Sequence, residues 1–195
     1  MDPIDEIVSE REKARERGDL NANVCFLATV SEDGGGAVRA LSLRDVDRRG
    51  FGLLINGLSV KWAELQSGRG FELLIYWPTV SRQYRVKGKL TPMEEEERRR
   101  FWNYKSHGSK LLELYYPTFE PQTTVVSSRD HLVAGIEELK KRHLEEDDIP
   151  PPDSLKAVYL VPDQIETWRS GEGRLHDRHR YTKTENGWKD EVLVP

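Results

Sequence analysis

The chain changes character several times along its length, and each change predicts an element. Residues 3–18 carry charges of both signs (Asp5, Glu6, Glu10, Arg11, Glu12, Lys13) around few apolar positions. That pattern predicts a solvated N-terminal helix within residues 1–19, packed through Ile4, Ile7 and Val8. From Asn23 the pattern shortens. Val24–Val30 is apolar and rich in strand formers, and it stops at Asp33-Gly-Gly-Gly36, a flexible turn signal. Ala37–Val46 completes a hairpin, and Phe51–Asn56 forms a third strand. Ser59 stands as the N-cap of a short helix over Val60–Gln66 that ends at Gly68. Phe71–Trp77 and Ser81–Leu90 read as further strands either side of Pro78. Thr91-Pro-Met-Glu94 fits a capping box with Pro92 at the first helical position, which predicts a helix to about Tyr104. Residues 105–126 support no single reading. Ser128 or Asp130 opens a helix to about Glu145, with Leu132, Ile136 and Leu139 on one face. Pro150, Pro151 and Pro152 make a stiff loop. Leu155–Val161, Ile165–Trp168 and Arg178–Lys183 look like strands, and Asn186-Gly187 turns the chain into a last one, Trp188–Leu193.

Strands dominate and no strand–helix–strand alternation appears. The fold class is therefore mainly β: an antiparallel barrel with peripheral helices, in one domain over residues 1–195. Lys and Arg number 30 and Asp and Glu 34, a formal charge of −4. Such a balance gives no cationic field for nucleic acid or an anionic membrane. No apolar run approaches the roughly 18 residues of a membrane-spanning helix. The acidic start lacks a signal-peptide pattern, and the single Cys25 forms no intramolecular disulfide, so a cytoplasmic protein is expected.

Nucleotide-binding glycine loops, nucleophile elbows and zinc-protease motifs are missing from the sequence. Cys25 sits in an apolar strand and reads as buried and inert. His176 and His179 are three apart, but in a loop-and-strand context without further ligands, so no metal is expected. The informative feature is basic residues inside segments that otherwise read as core: Arg39, Arg44, Arg82, Arg85, Arg174 and Arg178. Singly, each fits a solvated face or an ion pair. Together they fit an anionic pocket, because guanidinium forks match phosphate oxygens. Trp168 beside Gly171 and Gly173 is either a wall for a flat ring or a core residue at a turn.

The C-terminal run narrows the choice. Trp168, Gly171, Arg174-Leu-His-Asp-Arg178, Tyr181, Trp188 and Leu193-Val-Pro195 stand in an order that resembles the pyridoxamine 5′-phosphate oxidase family. The resemblance extends through Trp77, Arg82-Gln83, Asn56 with Ser59 and Lys61, Arg39 to Arg44, and Ala28-Thr-Val30. It implies an FMN-binding split β-barrel with residues 164–195 as the family's C-terminal motif. It also implies a homodimer with FMN at the subunit interface, oxygen as electron acceptor and a phosphorylated pyridine as substrate.

The roles it implies fall residue by residue. Arg39 would hold the FMN phosphate with Lys61, Ser59 and Ser127. Leu41, Ser42 and Arg44 would run under the flavin, and Leu54 and Ile55 would contact it. Gln83 would hydrogen-bond the ring, and Trp168 and Arg178 would close its site. Arg44, Phe101, Lys105 and Ser109 would surround the substrate phosphate. Arg174 and His176 would cover the pyridine and serve as the catalytic pair. Departures from the family pattern are Val60 for an Arg, Val126 for a Gln, Phe101 for a Tyr and Lys105 for an Arg, with an insertion between Leu111 and Thr124. The implied activity is oxidation of pyridoxamine or pyridoxine 5′-phosphate to pyridoxal 5′-phosphate with release of hydrogen peroxide. The alternatives are a related oxidase of another heterocycle, such as a phenazine precursor, and a non-catalytic FMN- or pyridoxal-phosphate-binding protein.

Overall fold

A computed structural model of the chain describes residues 2–145 and 149–195. Five α-helices and nine strands occur among them: α1 (Pro3–Glu16), β1 (Val24–Val30), β2 (Gly36–Ser42), β3 (Asp45–Asp47), β4 (Gly50–Asn56), α2 (Val60–Gln66), β5 (Phe71–Trp77), β6 (Arg82–Pro92), α3 (Glu95–Asn103), α4 (His107–Thr118), α5 (Arg129–Arg142), β7 (Leu155–Arg169), β8 (Asp177–Thr184) and β9 (Gly187–Val192). The strands form one mainly antiparallel sheet in the order β2-β1-β5-β6-β7-β4-β3, and β8 joins β7 and carries β9. The chain divides into two compact units, residues 1–53, 68–91 and 158–195 in one, and 54–67 and 92–157 in the other.

In the first unit the period-two pattern works as expected. Cys25, Leu27, Leu73, Ile75, Tyr84 and Val86 are buried on one face of β1, β5 and β6. Burial pushes the Cys25 thiol up to about 12, so the group is an inert core residue. Helix α1 is docked by a charge as well as by hydrocarbon. Arg11 is buried and donates to the carbonyls of Ala22 at 2.9 Å and Leu43 at 2.6 Å. Its burial lowers its pKa to about 10. Ile4 and Ile7 are buried, but Val8 is 41% exposed, contrary to the expected packing face. The true face runs through Pro3, Ile4, Ile7, Glu10, Arg11 and Ala14, a helical stripe that Val8 does not join.

Three boundaries also differ from expectation. The second strand ends at Ser42, and β3 is separate. Strand β6 runs on through Pro92, so the capping box does not form, and α3 starts at Glu95. The two strands expected around Pro162 are one, β7.

The second unit is helical over one apolar cluster. Trp102, Leu111, Tyr115, Leu139, Ile149 and Leu155 are its buried members, and Leu54, Leu132 and Ile136 pack against them. The segment without a single reading supplies α4. Gly135 lets α5 approach it closely, since a Cβ there would stand 2.6 Å from the Tyr115 ring. Ser128 caps α5 by accepting from the His131 N–H at 3.2 Å.

Candidate active site

Strand register builds the first group of candidate residues. Trp168 lies opposite Arg178 and Glu166 opposite Arg180. Directly opposed residues share a face, so these four side chains point the same way. Arg178 donates to Glu166 Oε1 at 2.6 Å and to the Val194 carbonyl at 3.0 Å. Arg85 reaches the other oxygen of that carboxylate at 3.5 Å, which places Arg85 and its i−2 neighbour Gln83 on the same face. Gln83 is half-buried, and its carboxamide makes no hydrogen bond among the described residues.

The link from β7 to β8 is a short 3-10 turn, Glu172–Arg174. Gly171 is required at its start, because a Cβ there would stand 2.0 Å from the Leu175 carbonyl oxygen. Gly173 adopts φ 59° without penalty, whereas Arg174 holds φ 66°. Left-handed backbone at a non-glycine residue costs on the order of 1 kcal/mol and is concentrated at functional sites. The turn leaves Arg174 exposed, with no side-chain hydrogen bond or ion pair among the described residues. His176 follows, its ring centroid 4.8 Å from that of Trp168 and tilted by 49°. The Gly171 N–H donates to His176 Nδ1 at 3.3 Å. That bond assigns the proton of a neutral imidazole to Nε2 and makes Nε2–H the donor the ring presents.

Arg39 belongs to the other face of the same sheet. It lies opposite Leu27, Leu27 opposite Leu73, and Leu73 opposite Val86. Gln83 is three residues from Val86 and therefore points the opposite way. Arg39 Nη1 donates to the Ala37 carbonyl at 3.2 Å, to the Leu27 carbonyl at 3.4 Å and to the Thr29 hydroxyl. Leu41 shares its face and Ser42 does not. Arg44 lies beyond the end of β2, where its N–H donates to the Gly52 carbonyl at 2.9 Å. The five-residue spacing of Arg39 and Arg44 thus spans a strand end, and simple alternation does not govern it.

In the second unit the polar candidates form a chain. The Ser59 hydroxyl is buried and donates to the Asn56 carbonyl at 2.6 Å, without capping α2. Asn56 Nδ2 donates to Glu113 Oε2 at 3.1 Å, and Lys105 Nζ donates to Glu113 Oε1 at 3.0 Å. The side chains of Lys105 and Glu113 are 9% and 14% exposed, so this is a buried ion pair. The Lys105 ammonium also lies 5.9 Å from the Trp102 ring centroid. Lys61 donates to Gln122 Oε1 at 2.5 Å. Phe101 and Ile55 are buried, and Leu54 is half-buried on the apolar cluster. Ser109 is exposed and hydrogen-bonds the Ser106 hydroxyl at 3.0 Å. Ser127 and Val60 are exposed as well.

Two partners escape sequence reasoning. Glu113 lies in the segment without a single reading, eight residues from Lys105 across a helix junction. A helical period through Leu111, Leu114 and Tyr115 was the available signal. Glu166 alternates correctly with Trp168 on β7, but nothing in the sequence names Arg178 and Arg85 as its partners.

Comparison with known proteins fits this geometry. Residues 11–143 match the pyridoxamine 5′-phosphate oxidase family, and residues 157–195 match the pyridoxine 5′-phosphate oxidase C-terminal dimerisation region. A pyridoxine/pyridoxamine 5′-phosphate oxidase of Myxococcus xanthus is 30% identical over 194 residues, covering 100% of this chain and 92% of the relative. One of Pelagibacter ubique is 31% identical over 198 residues, with the same coverage of 100% and 92%. Among solved structures, PhzG from Burkholderia lata in complex with tetrahydrophenazine-1-carboxylic acid superposes with a TM-score of 0.86 at 26% identity, covering 100% of this chain and 93% of that one. A pyridoxamine 5′-phosphate oxidase-related, FMN binding protein of Nostoc punctiforme shares the fold with a TM-score of 0.75 at 20% identity, over 100% and 99% of the two chains. This chain therefore belongs to the pyridoxamine 5′-phosphate oxidase family, FMN-dependent oxidoreductases built on a split β-barrel.

Proposed function

We propose that this chain oxidises a flat heterocycle of the vitamin B6 kind, converting pyridoxamine or pyridoxine 5′-phosphate to pyridoxal 5′-phosphate. The observation that carries the reading is the Gly171–Arg178 turn. It holds an uncommitted Arg174 and, beside Trp168, a His176 whose Nδ1 accepts from the Gly171 N–H. The donor set fits the cofactor. The Gln83 carboxamide is free to hydrogen-bond a ring edge, Trp168 offers an aromatic wall, and Arg178 is oriented by Glu166. Arg39, with Leu41, Ser42 and Arg44 after it, is the first unit's candidate for the FMN phosphate. Ser59, Lys61 and Ser127, with Leu54 and Ile55, are the second unit's candidates for the same nucleotide.

The chemistry FMN supplies when bound is acceptance of a hydride from the substrate carbon and return of the electron pair to oxygen as hydrogen peroxide. Arg174 would fix the ring by charge, and His176 Nε2–H would donate to a ring substituent, so both act by placement. An amine substrate loses its nitrogen to water as ammonia after hydride transfer; an alcohol needs no water.

Because Arg39 and the Gln83–Trp168–Arg178 set lie on opposite faces of one sheet, one chain does not offer both to one flavin. A homodimer resolves this, with Arg39 supplied by one copy and the other set by its partner. The match of residues 157–195 to a dimerisation region supports that arrangement.

The test is anaerobic mixing of FMN-loaded protein with pyridoxamine 5′-phosphate and pyridoxine 5′-phosphate. Flavin absorbance is expected to bleach, and admission of air to yield pyridoxal 5′-phosphate and peroxide in equal amounts. Absence of bleaching with both substrates refutes the reading. A second reading, oxidation of a phenazine precursor, is favoured by the likeness to PhzG and by the internal pairing of Lys105. It predicts bleaching by such a compound instead.

A further inference from the structure

We infer that Glu113 is a specificity-determining residue that cancels the charge of Lys105 and so lessens this protein's dependence on a substrate phosphate. The inference rests on the reading that Arg44, Phe101, Lys105 and Ser109 surround the substrate's anionic tail, and it concerns Lys105 among them.

A dianionic phosphate leaves water for a protein site only when cations there meet its charge. In the second unit Lys105 is the cation assigned to that task. Its ammonium is already engaged: Glu113 Oε1 accepts from it at 3.0 Å, and both side chains are largely withdrawn from solvent. Asn56 fixes the other carboxylate oxygen at 3.1 Å, so Glu113 is held in place from two sides. A phosphate arriving at Lys105 would meet a neutral pair, not a positive charge, and would bring its own negative charge against a buried carboxylate. The neighbouring position offers no compensation, because Phe101 is buried and has no hydroxyl. Ser109 is exposed and shares its hydroxyl hydrogen bond with Ser106. Such a site suits heterocycles whose tail is neutral or carries a single charge, such as a carboxylate, alongside the phosphorylated pyridines.

The experiment is anaerobic calorimetric titration of the protein loaded with reduced FMN, using pyridoxine 5′-phosphate and pyridoxine, which reads binding alone because a reduced flavin accepts no hydride. The wild type is expected to prefer the phosphorylated ligand by less than about tenfold. Glu113→Gln removes the counter-charge while keeping the shape, and is expected to raise that preference by about tenfold or more, with pyridoxine binding unchanged. Adding Lys105→Met to Glu113→Gln is expected to abolish the gain. A wild-type preference above about 100-fold overturns the inference, and needs no variant to fold. If Lys105→Met alone then collapses phosphate binding, the reading of the tail site stands and only the inference falls. If neither substitution alters binding of either ligand, the tail site lies elsewhere and the inference falls with it. Bleaching by pyridoxine 5′-phosphate is a separate measurement and bears on the proposed activity alone.

Discussion

The C-terminal hairpin and the Asn56–Glu113–Lys105 chain treat charge in opposite ways. On β8 and β9 the pairs are half-exposed: Arg180 with Glu191 directly opposite at 3.1 Å, Lys189 with Glu191 along one strand at 2.8 Å, and His179 with Asp190 on the diagonal at 2.7 Å. Water and salt screen them, so they adjust register and solubility more than stability. In the second unit the Lys105–Glu113 pair is buried, with Glu113 held from both sides, and loss of Glu113 would leave a buried charge without its carboxylate. Charge that stays near solvent is available to ligands, whereas buried charge is spent on the fold. Two sites of similar composition can therefore have different chemistry.

The sharpest way to break that contrast is Glu113→Ala. It strands the Lys105 ammonium and is expected to destabilise the protein by about 3–5 kcal/mol in denaturant unfolding. Glu72→Gln, which weakens the half-exposed pair with Arg85, is expected to stay within about 1 kcal/mol. Equal losses would show that burial does not separate the two kinds of pair. Next comes Gly171→Ala. The new Cβ collides with the Leu175 carbonyl, moving Arg174 and His176, and flavin reduction is expected to slow by about 100-fold with a much smaller change in melting temperature. A parallel loss of stability would mean that the turn supports the fold more than the chemistry. The smallest effect is expected at His179. Its bond to Asp190 raises its pKa above 6.5, so the stability this pair adds is complete below that pH and fades as pH rises through the higher folded value. The melting-temperature gap between wild type and His179→Gln is expected to be larger at about pH 5.5 than at about pH 8.5. A gap independent of pH would remove the imidazolium from the account.

How much was legible in the sequence follows the same division. Strands β1 and β5 and helix α2 have the bounds their patterns predict, because turn-forming residues close by (Gly34 to Gly36, Gly68, Gly70 and Pro78) leave few alternatives. The turn chemistry of Asn186-Gly187 and the Arg174–Arg178 run was equally plain. Pro92 misled, because proline suits a strand's end as well as a helix's first turn. Tertiary pairing decided the matter when the Met93 N–H donated to the Ala157 carbonyl at 2.9 Å. Pro162 reads as a strand break, yet β7 continues through it. Gly88 makes the room, since a Cβ there would stand 2.1 Å from the Val161 carbonyl oxygen and 2.8 Å from Pro162 Cα. The pairing of Lys105 was hidden for a similar reason. It depends on how α4 follows α3, and no local pattern specifies that junction.

The back-to-back placement of Arg39 and the Trp168–Arg178 set carries a last consequence on the proposed assignment. Each copy would own half of two cradles and the whole of none. Dilution that separates the copies would strip the yellow colour before it unfolds either chain. Two inactive variants, one crippled at Arg39 and one at Trp168, would restore each other on mixing, because one of the two cradles in a hybrid pair draws only on intact halves.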